Sequence, residues 1–182
     1  MSEEKQETHG LVLVNTGDGK GKTTAALGLC VRAAGYQKKV KIVQFIKGTW
    51  KYGELEGIKL LAPYVDMVQK GKGFVGIVDD KEDISTHIRA AKEALDYARE
   101  EMLSGKYDIV ILDEINVAVN LNLISVQDLM ELVDQKPPKL HLMLTGRNAP
   151  GELIDRADLV TEMREVKHPF QKGILAQQAV DY

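Results

Sequence analysis

Cysteine and aromatic residues are scarce in this chain: one cysteine, one tryptophan and three phenylalanines among 182 residues. With Cys30 alone, no internal disulfide can form, and no histidine–cysteine cluster suggests zinc. Cys30 falls in a helical pattern and reads as a small buried apolar residue, not a nucleophile. No apolar run approaches the length of a membrane span. The first ten residues, MSEEKQETHG, are polar and acidic, unlike a secretory leader. The formal net charge is −3, so the basic excess of a nucleic-acid-binding domain is missing. These absences lead us to expect a soluble cytoplasmic protein with neither nucleic acid nor membrane as partner. No repeat, low-complexity stretch or linker divides it. A polar tail, 1–9, and one domain, 10–182, are expected.

Glycine, by contrast, is concentrated where it carries chemistry. Residues 16–24 read Thr16-Gly17-Asp18-Gly19-Lys20-Gly21-Lys22-Thr23-Thr24, between an apolar run (Leu11 to Val14) and a helical pattern. Strand, glycine loop and helix form the context of a phosphate-binding P-loop. The glycines let successive N–H groups turn toward an anion, and the helix N-terminus adds partial positive charge. Lys22 would reach the outer phosphates and Thr23 would offer its hydroxyl to magnesium. Thr16 stands where the strict motif has its first glycine.

The remaining pattern alternates strand and helix. Residues 40–46 read as a second strand, and 47–82 as a glycine-bearing functional loop region with strand-like pieces at 58–61 and 66–69. Ile84, Ile88, Ala91, Leu95, Ala98 and Met102 recur at helical spacing, and Gly105 follows. Residues 109–112 are continuously apolar, as in a central parallel strand. Ser125 and Asp128 form a capping box, residues 140–144 another strand, and a short helix follows Pro150. Residues 159–163 and 174–180 are late strand candidates. The expected fold is α/β, a parallel sheet with helices on both faces.

The apolar run at 109–112 ends in Asp113 and Glu114, at the carboxyl edge where ligands of open α/β sheets bind. An acidic turn after a strand is common. Paired with a P-loop about ninety residues upstream, it becomes a magnesium-nucleotide site, with Asp113 or Glu114 near the metal. In a hydrolase the second carboxylate would orient water against the terminal phosphate. The residues themselves stop there, leaving open an ATPase or kinase, a transferase, or a nucleotide-gated binding module.

A set of segments in order carries a resemblance. Residues Thr16 to Ala26, the run Gln44-Phe45-Ile46-Lys47-Gly48-Thr49-Trp50, Ile111 to Glu114, Thr145-Gly146-Arg147, Ala157 to Arg164, Val166-Lys167-His168, Gly173 and Asp181-Tyr182 resemble the P-loop ATP:corrinoid adenosyltransferases. The resemblance implies a three-layer P-loop NTPase fold with a RecA-like, mostly parallel sheet, and a homodimer. It implies that a corrinoid reduced to Co(I), by an electron donor such as a flavoprotein, attacks C5′ of ATP and expels triphosphate. Gly17, Asp18, Gly19, Lys20, Gly21, Lys22, Thr23 and Thr24 would bind ATP, with Arg32 and Arg147 assisting. Lys22 and Glu114 would be the catalytic groups. Thr23, Asp113 and Glu114 would hold Mg2+, and Trp50, Phe74 and His168 would meet the corrinoid.

Two departures stand out. The family's second loop aromatic falls on Gly76 here, and only nine residues precede the first strand, where relatives carry a longer segment over the corrinoid. Cover is therefore expected from the 47–82 region or from a partner subunit.

Overall fold

All six strands of the sheet run parallel in the computed structural model, which describes residues 9–46, 52–71, 73 and 83–182. They are β1 (Val12–Thr16), β2 (Val40–Gln44), β3 (Val65–Gln69), β4 (Ile109–Asp113), β5 (His141–Thr145) and β6 (Leu159–Glu162). Their order across the sheet is β3-β2-β4-β5-β1-β6. The glycine loop therefore leaves β1, the acidic pair leaves β4, and β5 stands between them. Parallel strands deliver all their carboxyl ends to one edge, which is why residues far apart in sequence meet there.

Among the described residues six helices connect the strands: α1 (Lys22–Gly35), α2 (Gly53–Gly57), α3 (Ile84–Leu103), α4 (Ile115–Asn120), α5 (Val126–Asp134) and α6 (Gly151–Arg156). The β4 side chains sort them into layers. Val110 and Leu112 pack with α3, α4 and α5, whereas Ile109 and Ile111 pack with Ala26, Cys30 and Ala33 of α1. Both faces of β4 are thus covered, and its unbroken apolar run follows from that. Asp83 caps α3 by accepting from the Ser85 N–H (2.8 Å), and Ser125 caps α5 by accepting from the Asp128 N–H (3.0 Å). Lys41, buried in β2, pairs with Asp66 of β3, with its ammonium 5.3 Å from the Tyr97 ring centroid.

The expected order of elements holds, with four differences. Residues 58–61 form a 3-10 turn, Ile58–Leu61, because Ile58 buries against the α1 side while Leu60 stays exposed. Residues 174–180 form no strand. Their backbone turns back on Gln177, whose carbonyl accepts from the Val180 and Asp181 N–H groups, and Ala179 takes φ 67°. The short helices α2 and α4 were not anticipated; α2 is five residues with glycine at each end, a weak helical signal. Ile84 is half exposed at the start of α3, and His87 and Ala94 join the buried stripe instead. Trp50, Phe74 and Gly76 lie outside the described residues. Among the described residues no helix is long and apolar enough to cross a membrane.

Candidate functional site

The glycine loop turns sharply between the end of β1 and Lys22, the first residue of α1. Gly17 has φ +91°, and a Cβ there would lie 2.5 Å from the Met163 carbonyl oxygen, so only glycine fits. The Gly19 N–H donates to that same carbonyl at 2.6 Å, pinning the loop to the end of β6. Thr16 needs no glycine freedom: it is the last residue of β1, and its hydroxyl accepts from the Ala149 N–H (3.1 Å), tying the loop to the turn after β5.

Lys22 is buried, and its ammonium donates to the Gly17 and Gly19 carbonyls, both at 2.6 Å. The charge is held inside the loop it would serve. Burial lowers the Lys22 pKa, Arg147 pushes the same way, and Glu114 and Asp18 oppose them. These are the groups of opposite sign that share one pocket. Arg147, at the end of β5, donates to the Asp18 carbonyl at 3.3 Å.

Behind the loop, the start of α1 and the end of β5 converge on one carboxylate at the end of β4. Asp113 Oδ1 accepts from the Thr23 hydroxyl (2.9 Å) and from the Thr145 hydroxyl (2.7 Å). Thr145 in turn accepts the Glu114 N–H at 3.0 Å. Because Thr23 gives its proton to Asp113, its lone pairs are left for a cation. Asp113 is 1% exposed and sits behind Thr23, whereas Glu114, at φ 64°, lines the open side. Among the described residues no group of three His, Cys, Asp or Glu could hold a metal by itself. A hydroxyl with two carboxylates suits magnesium, a cation that keeps water and takes oxygen from phosphate.

Above this floor lies a cleft of about 840 Å³. The loop from Asp18 to Thr24 forms one wall together with Glu114 and Arg147. Tyr52, Glu54, Val117 and Asn120 form others, and the chain end, Ala179 to Tyr182, closes a further side. Lys20 of the loop ion-pairs with Asp181 of that end. Arg32 sits exposed on the last turn of α1 and is not among the described lining residues. His168 caps a 3-10 turn, Pro169–Lys172, by accepting the Phe170 N–H, also away from that lining. Cys30 is fully buried, and burial pushes its thiol up to about 12, which suits packing and not attack.

Reading the sequence missed the lining of α2 and α4 and the support of Asp113 by Thr145. The signals were faint: an apolar stretch after Glu114, and a threonine at the end of β5. Asp181 and Tyr182 were noted only as part of a resemblance.

Comparison with known proteins bears on this arrangement. A solved structure, the flagellar accessory protein FlaH from Methanocaldococcus jannaschii, superposes with TM-score 0.54 at 15% identity, covering 85% of this chain and 71% of that one. That likeness concerns the fold. Corrinoid adenosyltransferases from Sinorhizobium sp and Escherichia coli K12 are 40% and 36% identical, over 98% and 97% of this chain and 83% and 88% of their own lengths. The sequence model of the family described as ATP:corrinoid adenosyltransferase BtuR/CobO/CobP matches residues 8–182. With its phosphate loop and acidic strand end brought together at one sheet edge, this chain belongs to the ATP:corrinoid adenosyltransferase family.

Proposed function

We propose that this protein transfers the 5′-deoxyadenosyl group of ATP to the Co(I) centre of a corrinoid and releases triphosphate, in adenosylcobalamin biosynthesis or salvage. The observation that carries the reading is the convergence of the glycine loop, Thr23, Asp113 and Glu114 in a chain of this family. Cobalt is the nucleophile: the Co–C5′ bond forms, the C5′–O bond breaks, and its electron pair leaves with triphosphate. The protein's task is then to position C5′ and to stabilise charge gathering on the leaving group.

The chain's own groups suit that task. The loop from Asp18 to Thr24 would meet the phosphates, with the Gly19 N–H already given to the Met163 carbonyl, and Lys22 would exchange its two carbonyl partners for phosphate oxygens. Arg147, which donates to the Asp18 carbonyl, adds a second positive charge to the cleft lining. Magnesium, held by Thr23 and Glu114 with Asp113 behind them, would neutralise phosphate charge when bound. Asp113 keeps the Thr23 hydroxyl turned the right way, and Tyr52 and Val117 supply apolar wall that displaces water.

We further propose a cytoplasmic homodimer supplied with electrons by an external donor such as a flavoprotein. The dimer reading is supported by β6, a sheet edge on which Leu159 is exposed, and by exposed Val166, Phe170 and Leu175 beyond it. Corrinoid contacts by Trp50, Phe74 and His168 remain part of this proposal.

The test is anaerobic incubation with MgATP and chemically reduced cob(I)alamin. The expected product is a light-sensitive Co–C species whose absorbance reverts on photolysis. Nucleotide consumption without any alkylated corrinoid would contradict the transferase and favour an ATPase or kinase.

A further inference from the structure

Gln44 is fully buried at the end of β2, between two chemically distinct regions. Its Nε2 donates to Asp113 Oδ2 at 3.0 Å, and its Oε1 accepts from the Gln69 Nε2 of β3 at 3.1 Å. The amide cannot be reversed. A carboxylate accepts only, so the end facing Asp113 must be the nitrogen. Turning it over would set two oxygens against each other in a site without water access, at the cost of a buried hydrogen bond.

The second Asp113 oxygen is what Gln44 occupies. With Oδ2 engaged by Gln44, Oδ1 is left to receive the Thr23 and Thr145 hydroxyls. Four adjacent strands, β3, β2, β4 and β5, thus contribute one side chain each to a single hydrogen-bonded row: Gln69, Gln44, Asp113 and Thr145. The backbone beside the row is equally constrained. The Lys70 N–H donates to the Gln44 carbonyl at 2.9 Å. At Gly71 a Cβ would lie 2.2 Å from the Phe45 carbonyl oxygen, so the chain leaving β3 is pressed against the chain leaving β2.

We propose that Gln44 is a positioning residue for the magnesium-nucleotide end of the site. It fixes the Asp113 carboxylate, and through it the Thr23 hydroxyl, while Gln69 fixes Gln44. This inference rests on the proposed nucleotide reading and deepens it. Partners of this outer kind typically govern metal affinity by 10–100-fold.

The experiment titrates Mn2+ by electron paramagnetic resonance in the presence of a non-reacting ATP analogue, with thermal unfolding as a check on the fold. Gln44→Met keeps the side-chain length and removes both polar ends. It is expected to weaken Mn2+ binding roughly tenfold or more, while affinity for the analogue in EDTA stays at the wild-type value. Asp113→Asn is combined with it in a double-mutant cycle. In the Asp113→Asn background, Gln44→Met should add nothing, since Gln44 acts through that carboxylate.

Unchanged Mn2+ affinity, an equal loss of metal-free nucleotide affinity, or additive losses in the cycle would each overturn the role. Should Gln44→Met not fold, Gln69→Leu, which removes only the outer amide, is expected to produce the same metal-selective loss at smaller size. Unaltered Mn2+ affinity there would also overturn it. If the wild-type protein binds no nucleotide at all, the nucleotide reading itself fails, and the two failures are thereby distinct.

Discussion

The two ends of the nucleotide cleft are built by opposite means. At the β-strand edge, polar side chains are held by one another: buried Thr145 and Gln44 and half-buried Thr23 all converge on Asp113. At the chain terminus, Asp181 and Tyr182 close the same cleft from a segment whose residues are mostly exposed, from Arg164 onward. The link between them that touches the glycine loop is an exposed ion pair, Lys20 with Asp181. A buried network sets geometry before ligand arrives, whereas an exposed pair exchanges readily with water and with phosphate. Phosphate chemistry is expected to depend on the first end and to be tuned by the second.

The largest losses are expected in the sheet that carries the first end. Leu144, fully buried beside Thr145, is expected to cost about 3 kcal/mol of stability on truncation to alanine. The same truncation of Phe170, 68% exposed in the terminal segment, should cost under about 0.5 kcal/mol. Denaturant unfolding of both variants checks the contrast; equal losses would mean that the terminal segment belongs to the cooperative core. Next in size is Lys22→Ala, expected to lower ATP affinity roughly 100-fold by removing a charged donor to phosphate. Calorimetry would read it, and a loss under threefold would remove Lys22 from the phosphate site.

Glu114→Gln is expected to raise the magnesium concentration needed for half-maximal turnover about tenfold, with unfolding unchanged. An unaltered magnesium response would leave Glu114 no part in holding the cation. The smallest effect belongs to the terminus. Asp181→Asn removes a negative charge from the cleft wall and frees Lys20 for phosphate. ATP affinity should rise a few-fold at most, and any marked loss would show that Asp181 contributes to binding directly.

How much of this was legible in the sequence differs between the same two regions. The buried end announced itself because its physics is local. A glycine loop must sit between strand and helix, and an unbroken apolar strand ending in Asp113-Glu114 must place its carboxylates at the ligand edge. The parallel order of strands then does the rest, and the expected α/β architecture follows.

Contacts between strand ends were not legible. Nothing in the spacing of Gln44, Asp113 and Thr145 says that β2, β4 and β5 are neighbours in that order. The terminal segment misled because it is short and largely apolar, Ile174-Leu175-Ala176 and then Ala179-Val180. Yet β6, the edge beside the glycine loop, takes no further partner among the described residues, and 174–180 turn on Gln177 instead. Thr16, a departure from the glycine pattern, became intelligible only once its hydroxyl was seen to meet the Ala149 N–H.

The proposed chemistry requires the glycine loop to grip triphosphate as a leaving group and keep it whole. Phosphorus-31 magnetic resonance of a completed anaerobic reaction with MgATP and cob(I)alamin tests it most directly. One intact triphosphate per adenosylated corrinoid is the predicted result. Orthophosphate with ADP, or pyrophosphate with phosphate formed in step with turnover, would contradict it.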